Sequence, residues 1–517
     1  MADDLMQKII SLCKRRGFVF QSSEIYGGLK SAYDYGPLGV EMKRNLMNAW
    51  WRDTVHSRED VVGLDASIIM HPKVWQASGH LSGFSDPLVD CKVCKERFRA
   101  DKAPAVEPGQ EVTIELADKG RAKAALTYIE EQFGVTLKRS GRQLNGAKAG
   151  DRPYVCPNCG SPFMSDERNF NLMFRSFYGP VDPMGALASA IESGEFNGLS
   201  GADLRQKLDG FTKDSTVYLR PETAQAMFVQ YANIQQSMSL KIPFGIAQAG
   251  KSFRNEITVE HFIFRSCEFE QMEMEFFCEP GTEDEWFEYW KETRMGWWKK
   301  FANNPENFRV RTHEASELAH YAKGCYDVEY RFPWGWDELE GIANRTDYDL
   351  KKHAEHSGSK IEYFDPVERK RYTPYVIEPA AGATRGVLTY LCDAYHEEQV
   401  EGPKGTDTRV VLKLHPQLAP VKVAVMPLVK KNGMPEKARA LVDALFRRGI
   451  NASYDAQNAI GKRYRRHDEI GTPWCLTIDG ETLEDGTITI RDRDTMEQRR
   501  IPIDDAVTEI ETLLRSE

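Results

Sequence analysis

Three stretches of the chain bring together residue types that could grip one doubly charged ligand. Residues 251–256 read KSFRNE, with Arg254 and Glu256 two positions apart behind Phe253, after the apolar run 242–249. On a strand, side chains alternate faces, so Arg254 and Glu256 would share one side and Phe253 and Asn255 the other. Taken alone, the pair reads as a surface ion pair at a strand end. A second run, FEQMEMEFF, sets Met272, Met274 and Phe276 on one face and Phe269, Gln271, Glu273 and Glu275 on the opposite one. The resulting sheet has an apolar back and a front of arginine and glutamates. That front is either the polar outside of an antiparallel sheet or a site for a ligand carrying both anionic and cationic groups. The third stretch, VIEPAAGATRGVL, ends an apolar strand in Glu378-Pro379 and continues through small residues and Gly382 to Arg385. Small residues let a backbone and a ligand approach closely, and an arginine at a helix start suits phosphate.

Two further groupings carry chemistry. CKVC and CPNCG form two Cys-x-x-Cys pairs, Cys91 with Cys94 and Cys156 with Cys159. Four thiolates suit tetrahedral Zn²⁺, and free buried cysteines are the alternative. The six scattered cysteines read as small buried hydrophobes. GKRYRRHDEIGTPW places Lys462, Arg463, Tyr464, Arg465, Arg466 and His467 in succession. It is a local basic patch with an aromatic for an unpaired base, or a solvated loop.

The elements that must hold these groups follow from patterning. The 517 residues exceed one ordinary core, so two or three domains are expected. The net charge of −10 argues against coating long nucleic acid by bulk charge. No apolar run is long enough to span a membrane, and the N-terminal residues lack a signal-peptide plan, so the expectation is a cytosolic protein without a disulfide framework. Leu5, Ile9 and Leu12 share a face of a first helix closed by Gly17. Residues 33–55 read as a turn and a helix, with Pro37 in its first turn and Val40, Met47, Trp50 and Trp51 as its stripe. Residues 95–155, poor in large apolar side chains, read as an insertion between the cysteine pairs. LRPETAQAMFVQYANI reads as a helix with Pro221 near its start, residues 242–256 and 261–277 as strands, and residues 284–301 as an amphipathic helix with Trp286, Trp290, Trp297 and Phe301 inward. Beyond Pro420 comes about a hundred residues of α/β pattern, with Ala438, Leu441 and Leu445 on one helix face and Gly449 past its end.

FRNE resembles the second signature of the class II aminoacyl-tRNA synthetases, and EPAAGATR their third. YDYGPLGVEMKRNLMNAWW is similar to their dimer-forming first signature. CKRRGFVFQSSEIYGG, YDYGPLG, YLRPETAQ, FRNE, FEQMEMEFF, LEGIANRTDYDL, VIEPAAG and RRHDEIGTPW together resemble the glycine-specific, single-chain, homodimeric branch, in family order from about residue 12 to 475. The resemblance implies an α+β fold: a class II antiparallel sheet flanked by helices, a zinc-clasped insertion at about 91–160 within a catalytic domain 1–415, and a C-terminal α/β anticodon-binding domain 419–517.

It also implies roles. Arg254, Glu256 and Arg385 are the catalytic set, with Arg254 holding the α-phosphate and the amino-acid carboxylate in register. ATP contacts fall on Arg254, Asn255, Glu256, Phe264, Arg265, Ser266, Cys267, Glu268, Phe269, Glu338, Leu339, Gly382 and Arg385. Phe264 stacks on adenine, Arg265 and Arg385 grip the terminal phosphates, and Glu338 is the Mg²⁺ ligand. Glycine contacts fall on Arg99, Glu222, Phe269, Glu270, Gln271, Met272, Glu273, Arg345, Glu378 and Gly382, with Glu222, Glu273 and Glu378 reading the ammonium group. The implied metals are Zn²⁺ on the four cysteines and Mg²⁺; the implied partners are glycine, ATP, tRNA(Gly) through Lys462, Arg463, Tyr464, Arg465 and Arg466, and a second copy of the chain. Steric exclusion of a Cβ removes the need for an editing domain. Ala380 departs from the serine usual in EPSxG, a loss of one neutral hydrogen bond of about 0.5–1.5 kcal/mol. A binding module that has abandoned catalysis and a synthetase for another amino acid of the subclass are the competing readings. Retention of Arg254, Glu256 and Arg385 argues against the first, and the three carboxylates with YLRPETAQ against the second.

Overall fold

The computed structural model describes residues 2–257, 261–319, 321–402 and 405–516. It resolves into two compact units, residues 1–68, 222–252 and 261–517 in one, and residues 69–221 and 253–260 in the other.

The first unit is built on helices α1 (Ala2–Arg16) and α2 (Pro37–Trp51) and a seven-stranded sheet. Its strands are β1 (Val61–Gly63), β2 (Phe244–Phe253), β3 (Glu268–Cys278), β4 (Phe308–Thr312), β5 (Gly324–Phe332), β6 (Gly335–Thr346) and β7 (Tyr375–Gly382), in the order β4-β5-β6-β7-β3-β2-β1. β4 through β7 are successively antiparallel, β7 is antiparallel to β3, and β1 joins β2 in parallel. Helices α3 (Ala224–Met238), α4 (Glu283–Lys300), α5 (Tyr348–Ser357) and α6 (Ala383–Ala394) flank it. Met272, Met274 and Phe276 enter one large apolar core with α1, α2, α4 and α6, as the alternation of β3 requires. Gly386 allows α6 to lie against α2, because a Cβ there would sit 2.7 Å from Leu46 Cδ2.

Several boundaries differ from the sequence expectation. β2 stops at Phe253, so Arg254, Asn255 and Glu256 do not continue the strand alternation. The chain turns there, with the Glu256 amide donating to Arg254 O (2.8 Å) and the Asn255 amide to Leu172 O (2.8 Å). The expected strand 261–277 is interrupted: Phe262–Phe264 is a 3₁₀ turn and the ladder begins at Glu268. α3 starts at Ala224, leaving Pro221, Glu222 and Thr223 in the approach to it. The buried stripe of α2 is Gly39, Met42, Leu46, Ala49 and Trp50, and Val40, Met47 and Trp51, each one residue further round the helix, lie at its margin on one side. On α4, Phe287, Trp290, Met295, Trp297 and Trp298 are buried, and Trp286 sits at the margin.

The same unit continues through the hairpin β8 (Tyr395–Gly402) and β9 (Gly405–Leu412). A five-stranded sheet follows, β11-β10-β12-β13-β14, from β10 (Val423–Pro427), β11 (Ala452–Tyr454), β12 (Trp474–Ile478), β13 (Thr487–Asp492) and β14 (Gln498–Pro502). α7 (Met434–Arg447) covers it with Ala438, Leu441 and Leu445 inward, forming a separate apolar core. α8 (Ile460–Glu469) carries the basic stretch, which is therefore a helix and not a loop.

In the second unit the stretch read as poor in apolar residues folds around Ile114, Leu116, Ala122, Ile129 and Leu144. A three-stranded sheet and the helix Lys119–Phe133 supply all but Leu116, which lies between the two. Among the described residues no helix is long and apolar enough to cross a membrane.

Candidate active site

The front of the large sheet carries a connected set of buried charges. Register places Glu273 opposite Ala380 and Ala343 opposite Glu378. A register shift between Asn344 and Thr346 re-aims Arg345. Its guanidinium donates to Glu378 Oε2 (2.5 Å) and, through Nε and Nη2, to both oxygens of Asp349 (2.8 and 2.9 Å). Asp349 lies in the first turn of α5, one helical turn beyond Arg345. Gln225 of α3 donates to Glu222 Oε1 (3.0 Å) and Asp349 Oδ1 (3.1 Å), and its own oxygen is 2.8 Å from His353 Nε2. Burial holds the His353 imidazole below its usual range, so the neutral ring donates to Gln225. Thr223 anchors Glu273 with its amide (2.9 Å) and its hydroxyl. Glu273, Glu275, Glu378, Asp349 and Arg345 are all buried.

Carboxylates outnumber the cation that pairs with them here. Burial, reinforced by Glu222, raises the Glu273 carboxyl; burial also pushes Glu378 well above the usual range despite Arg345. A cluster of this kind favours a cation beside it, and a primary ammonium would bring three donors.

A second group lies around Arg385 at the start of α6. Arg385 Nη1 reaches Glu338 O (3.0 Å) and Glu338 Oε2 (3.2 Å), and its Nε reaches Phe264 O (3.3 Å). Its guanidinium carbon sits 4.5 Å from the centre of the Phe264 ring. A guanidinium over an aromatic face is a cation–π contact, and the same face and the guanidinium plane can each stack on a planar π-system. Phe264 is braced edge-on by Phe332 and Trp334. Glu338 keeps about half its side chain exposed, a hard oxygen donor open to solvent.

The structure sorts the other expected contacts. Met272 and Leu339 point into the apolar core, so only their backbones can face a ligand. Glu270 lies on the Met272 side of β3 and pairs with Lys43. Gln271, on the front, accepts from Ser252 (2.7 Å). Glu268 pairs with Lys251, Ser266 donates to Glu268 O (2.9 Å), and Cys267 accepts from Ser31 (3.0 Å). In the second unit Arg254 Nε donates to Pro221 O (3.1 Å), and Arg99 bridges Asp86 and Asp101 (both 2.8 Å). Gln225, Asp349, His353 and Thr223 were not singled out from sequence, although PETAQ and TDYDL contain three of them.

The cysteines of the second unit converge. Cys91 Sγ and Cys159 Sγ are 3.7 Å apart, Cys94 Sγ and Cys156 Sγ 3.6 Å, and all four sulfurs lie within 4.8 Å of one another. Thiolates about 2.3 Å from a common zinc lie about 3.8 Å from each other, so the donor set fits. Each pair sits on the same tight turn: the Lys95 amide donates to Cys91 O (3.0 Å) and the Gly160 amide to Cys156 O (2.8 Å). All ten cysteines are free thiols, three of the scattered six fully buried and three half-buried.

On α8 the basic residues divide. Arg463 is buried and donates to Pro427 O (2.6 Å) and Asn458 O (2.9 Å). The Tyr464 hydroxyl meets Thr477 (2.7 Å) and Arg491 covers its ring, so neither residue presents a free face. Arg466 pairs with Asp455 (2.6 Å), and Lys462 is exposed.

Residues 210–393 match the family model described as tRNA synthetase class II core domain (G, H, P, S and T), and residues 422–513 match that of the anticodon binding domain. The chain is 46% identical over 514 residues to the glycine--tRNA ligase of Treponema denticola, covering 99% of this chain and 97% of that one. It is 47% identical over 509 residues to the glycine--tRNA ligase of Acetivibrio thermocellus, covering 98% of both. It is 48% identical over 515 residues to that of Clostridium perfringens, again covering 98% of both.

Proposed function

The chain belongs to the glycine–tRNA ligase family, and we propose that the surplus of carboxylates on the sheet front is its glycine pocket. The protein is an aminoacyl-tRNA ligase that activates glycine with ATP and transfers it to tRNA. The observation that carries the pocket assignment is Arg345, shared between Asp349 and Glu378, while the buried Glu273 beside them is held by Thr223. In this reading Glu222, Glu273 and Glu378 receive the ammonium group. Arg345 is a positioning residue that fixes Glu378. Pocket walls at Gln271, Phe269 and Gly382 exclude a larger side chain.

Activation brings the glycine carboxylate to the α-phosphate of ATP, two anions that repel. Arg254 neutralises both and holds them in line. Glu256 accepts the adenine amino group, with Asn255 beside it. The Arg385–Phe264 pair opens to take the adenine between them, a reading the 4.5 Å stack supports and which moves Arg385 from the terminal phosphates to the base; Arg265 remains on the phosphates. Glu338 is the residue that would hold Mg²⁺, whose charge would offset that of the phosphates. Cys91, Cys94, Cys156 and Cys159 would hold a structural Zn²⁺.

We further assign residues 419–517 to anticodon binding, supported by their separate core, with Lys462, Arg465 and Arg466 as the accessible cations. A cytoplasmic homodimer completes the proposal. Exposed Ile25, Tyr26 and Leu29 support a protein contact on the first unit.

Glycine-dependent ATP–pyrophosphate exchange without tRNA, with alanine and serine in parallel, tests the pocket. Exchange with glycine alone is expected; equal exchange with alanine would overturn the assignment. Elemental analysis should return one zinc per chain, and protein purified without chelators yet free of zinc would remove the four-cysteine site.

A further inference from the structure

Glu275 is fully buried on β3, and neither of its carboxylate oxygens has a hydrogen-bond partner among the described residues. It follows Glu273 by two positions and so projects from the same face. One oxygen from each of Glu273, Glu275 and Glu378 lies within 4.8 Å of the others. The groups facing it are Glu273 on its own strand, Glu378 on β7, Arg345 on β6 and Asp349 on α5. Arg345 is already engaged by Asp349 and Glu378, and Thr223 directs both its donors to Glu273. An ionised Glu275 would have two carboxylates as neighbours and no donor. Burying such a charge unpaired is among the costliest arrangements in a protein. A neutral acid is different: it carries a donor, and an oxygen of each of the two neighbouring carboxylates lies within 4.8 Å to receive it.

We propose that Glu275 is a positioning residue held as the neutral acid, donating its proton toward the Glu273 and Glu378 carboxylates that receive the glycine ammonium. The role at the ammonium rests on the pocket assignment above; the proton itself does not. The neutral acid holds the ligand carboxylates at their spacing without adding a further negative charge. Burial, and then Glu378, push the Glu275 carboxyl well above the usual range. The folded chain therefore keeps a proton that the unfolded chain releases above its ordinary value of 4.5. The stability contributed by this proton is complete below that value and declines as pH rises toward the folded pKa.

The test uses the full-length, zinc-loaded chain and two substitutions. Glu275→Leu removes the donor and should raise the glycine KM about tenfold or more with a smaller change in kcat. Glu275→Gln keeps a neutral donor and should recover most of that loss. The thermal midpoint of Glu275→Gln relative to the unsubstituted chain should rise as pH increases from about 5.5 to about 8.5. Infrared spectra near neutral pH should show a protonated-carboxyl band that Glu275→Gln lacks. Failure of glutamine to rescue, a flat difference in midpoint across pH, or a spectrum without the band would overturn the proposal. If Glu275→Gln does not fold, Glu273→Gln and Glu378→Gln assign the band instead: persistence in both supports Glu275, and loss in either overturns it. Absence of glycine-dependent exchange from the unsubstituted chain would refute the pocket assignment, while the band and the pH slope would still decide the proton.

Discussion

Asp468 and Glu378 are both carboxylates buried in ionic surroundings, and their neighbourhoods differ in sign. Asp468 accepts from Arg409 Nε (2.9 Å) and from Arg491 Nη1 and Nη2 (2.9 and 3.2 Å). The rest of that cluster closes on itself: Arg409 also reaches Glu398 (2.6 Å) and Arg493 O, and Arg493 reaches Leu414 O (2.7 Å) and Gly471 O (2.9 Å). Glu378 has one guanidinium, shared with Asp349, and two further carboxylates beside it. The first network joins the β8–β9 hairpin to α8 and β13 with its donors satisfied, as a structural clasp should be. The second has more buried carboxylates than cations among the described residues, as the proposed ammonium site requires. Counting donors against acceptors separates the two roles where burial alone does not.

The comparison breaks most visibly at Glu378. Glu378→Gln should lower glycine-dependent exchange by about 10²- to 10³-fold, through loss of a charged contact and of the Arg345 clamp. Circular dichroism should show the fold retained. A drop of less than about fivefold would mean that the surplus charge has another purpose. Next in size is Asp468→Asn, which leaves two buried guanidinium groups short of a counter-charge and should cost about 3 kcal/mol of stability in urea unfolding. Exchange per folded molecule should not change; a fall in exchange at constant stability would join the two networks functionally. The smallest effect is expected at Ala380, which lies between Gly341 and Glu273 in the ladder. Ala380→Ser restores a hydroxyl there and should lower the glycine KM about two- to tenfold, the equivalent of one neutral hydrogen bond. An unchanged KM would indicate that the pocket already satisfies glycine without it.

Legibility in the sequence followed the range of the interaction. The two faces of β3 were readable because a period of two is local, and the core confirms Met272, Met274 and Phe276 on one side. The cysteine pairs were readable because Cys-x-x-Cys spacing is local, and the four sulfurs do converge. Arg254 and Glu256 were misread as strand neighbours, because the chain turns after Phe253 and the Asn255 amide goes to Leu172 O, a partner distant in sequence. Arg463 and Tyr464 read as free cation and free ring, yet helix α8 turns both inward, onto Pro427 O and Thr477. The bonds that tie Gln225 to Asp349 and His353 to Gln225 span 124 and 128 residues, so the local sequence did not show them.

The sequence by itself determined which charges exist, their order along the chain and the family to which they belong, because these are properties of residue type and spacing. Only the tertiary structure decided which of those charges meet a partner. Arg345, Asp349 and Glu378 close a clamp through a strand irregularity and the start of a helix, while Glu275 on the same front meets none among the described residues. That difference arises from packing elements distant in sequence into a low-dielectric interior, where an unpaired charge must find a proton or a ligand.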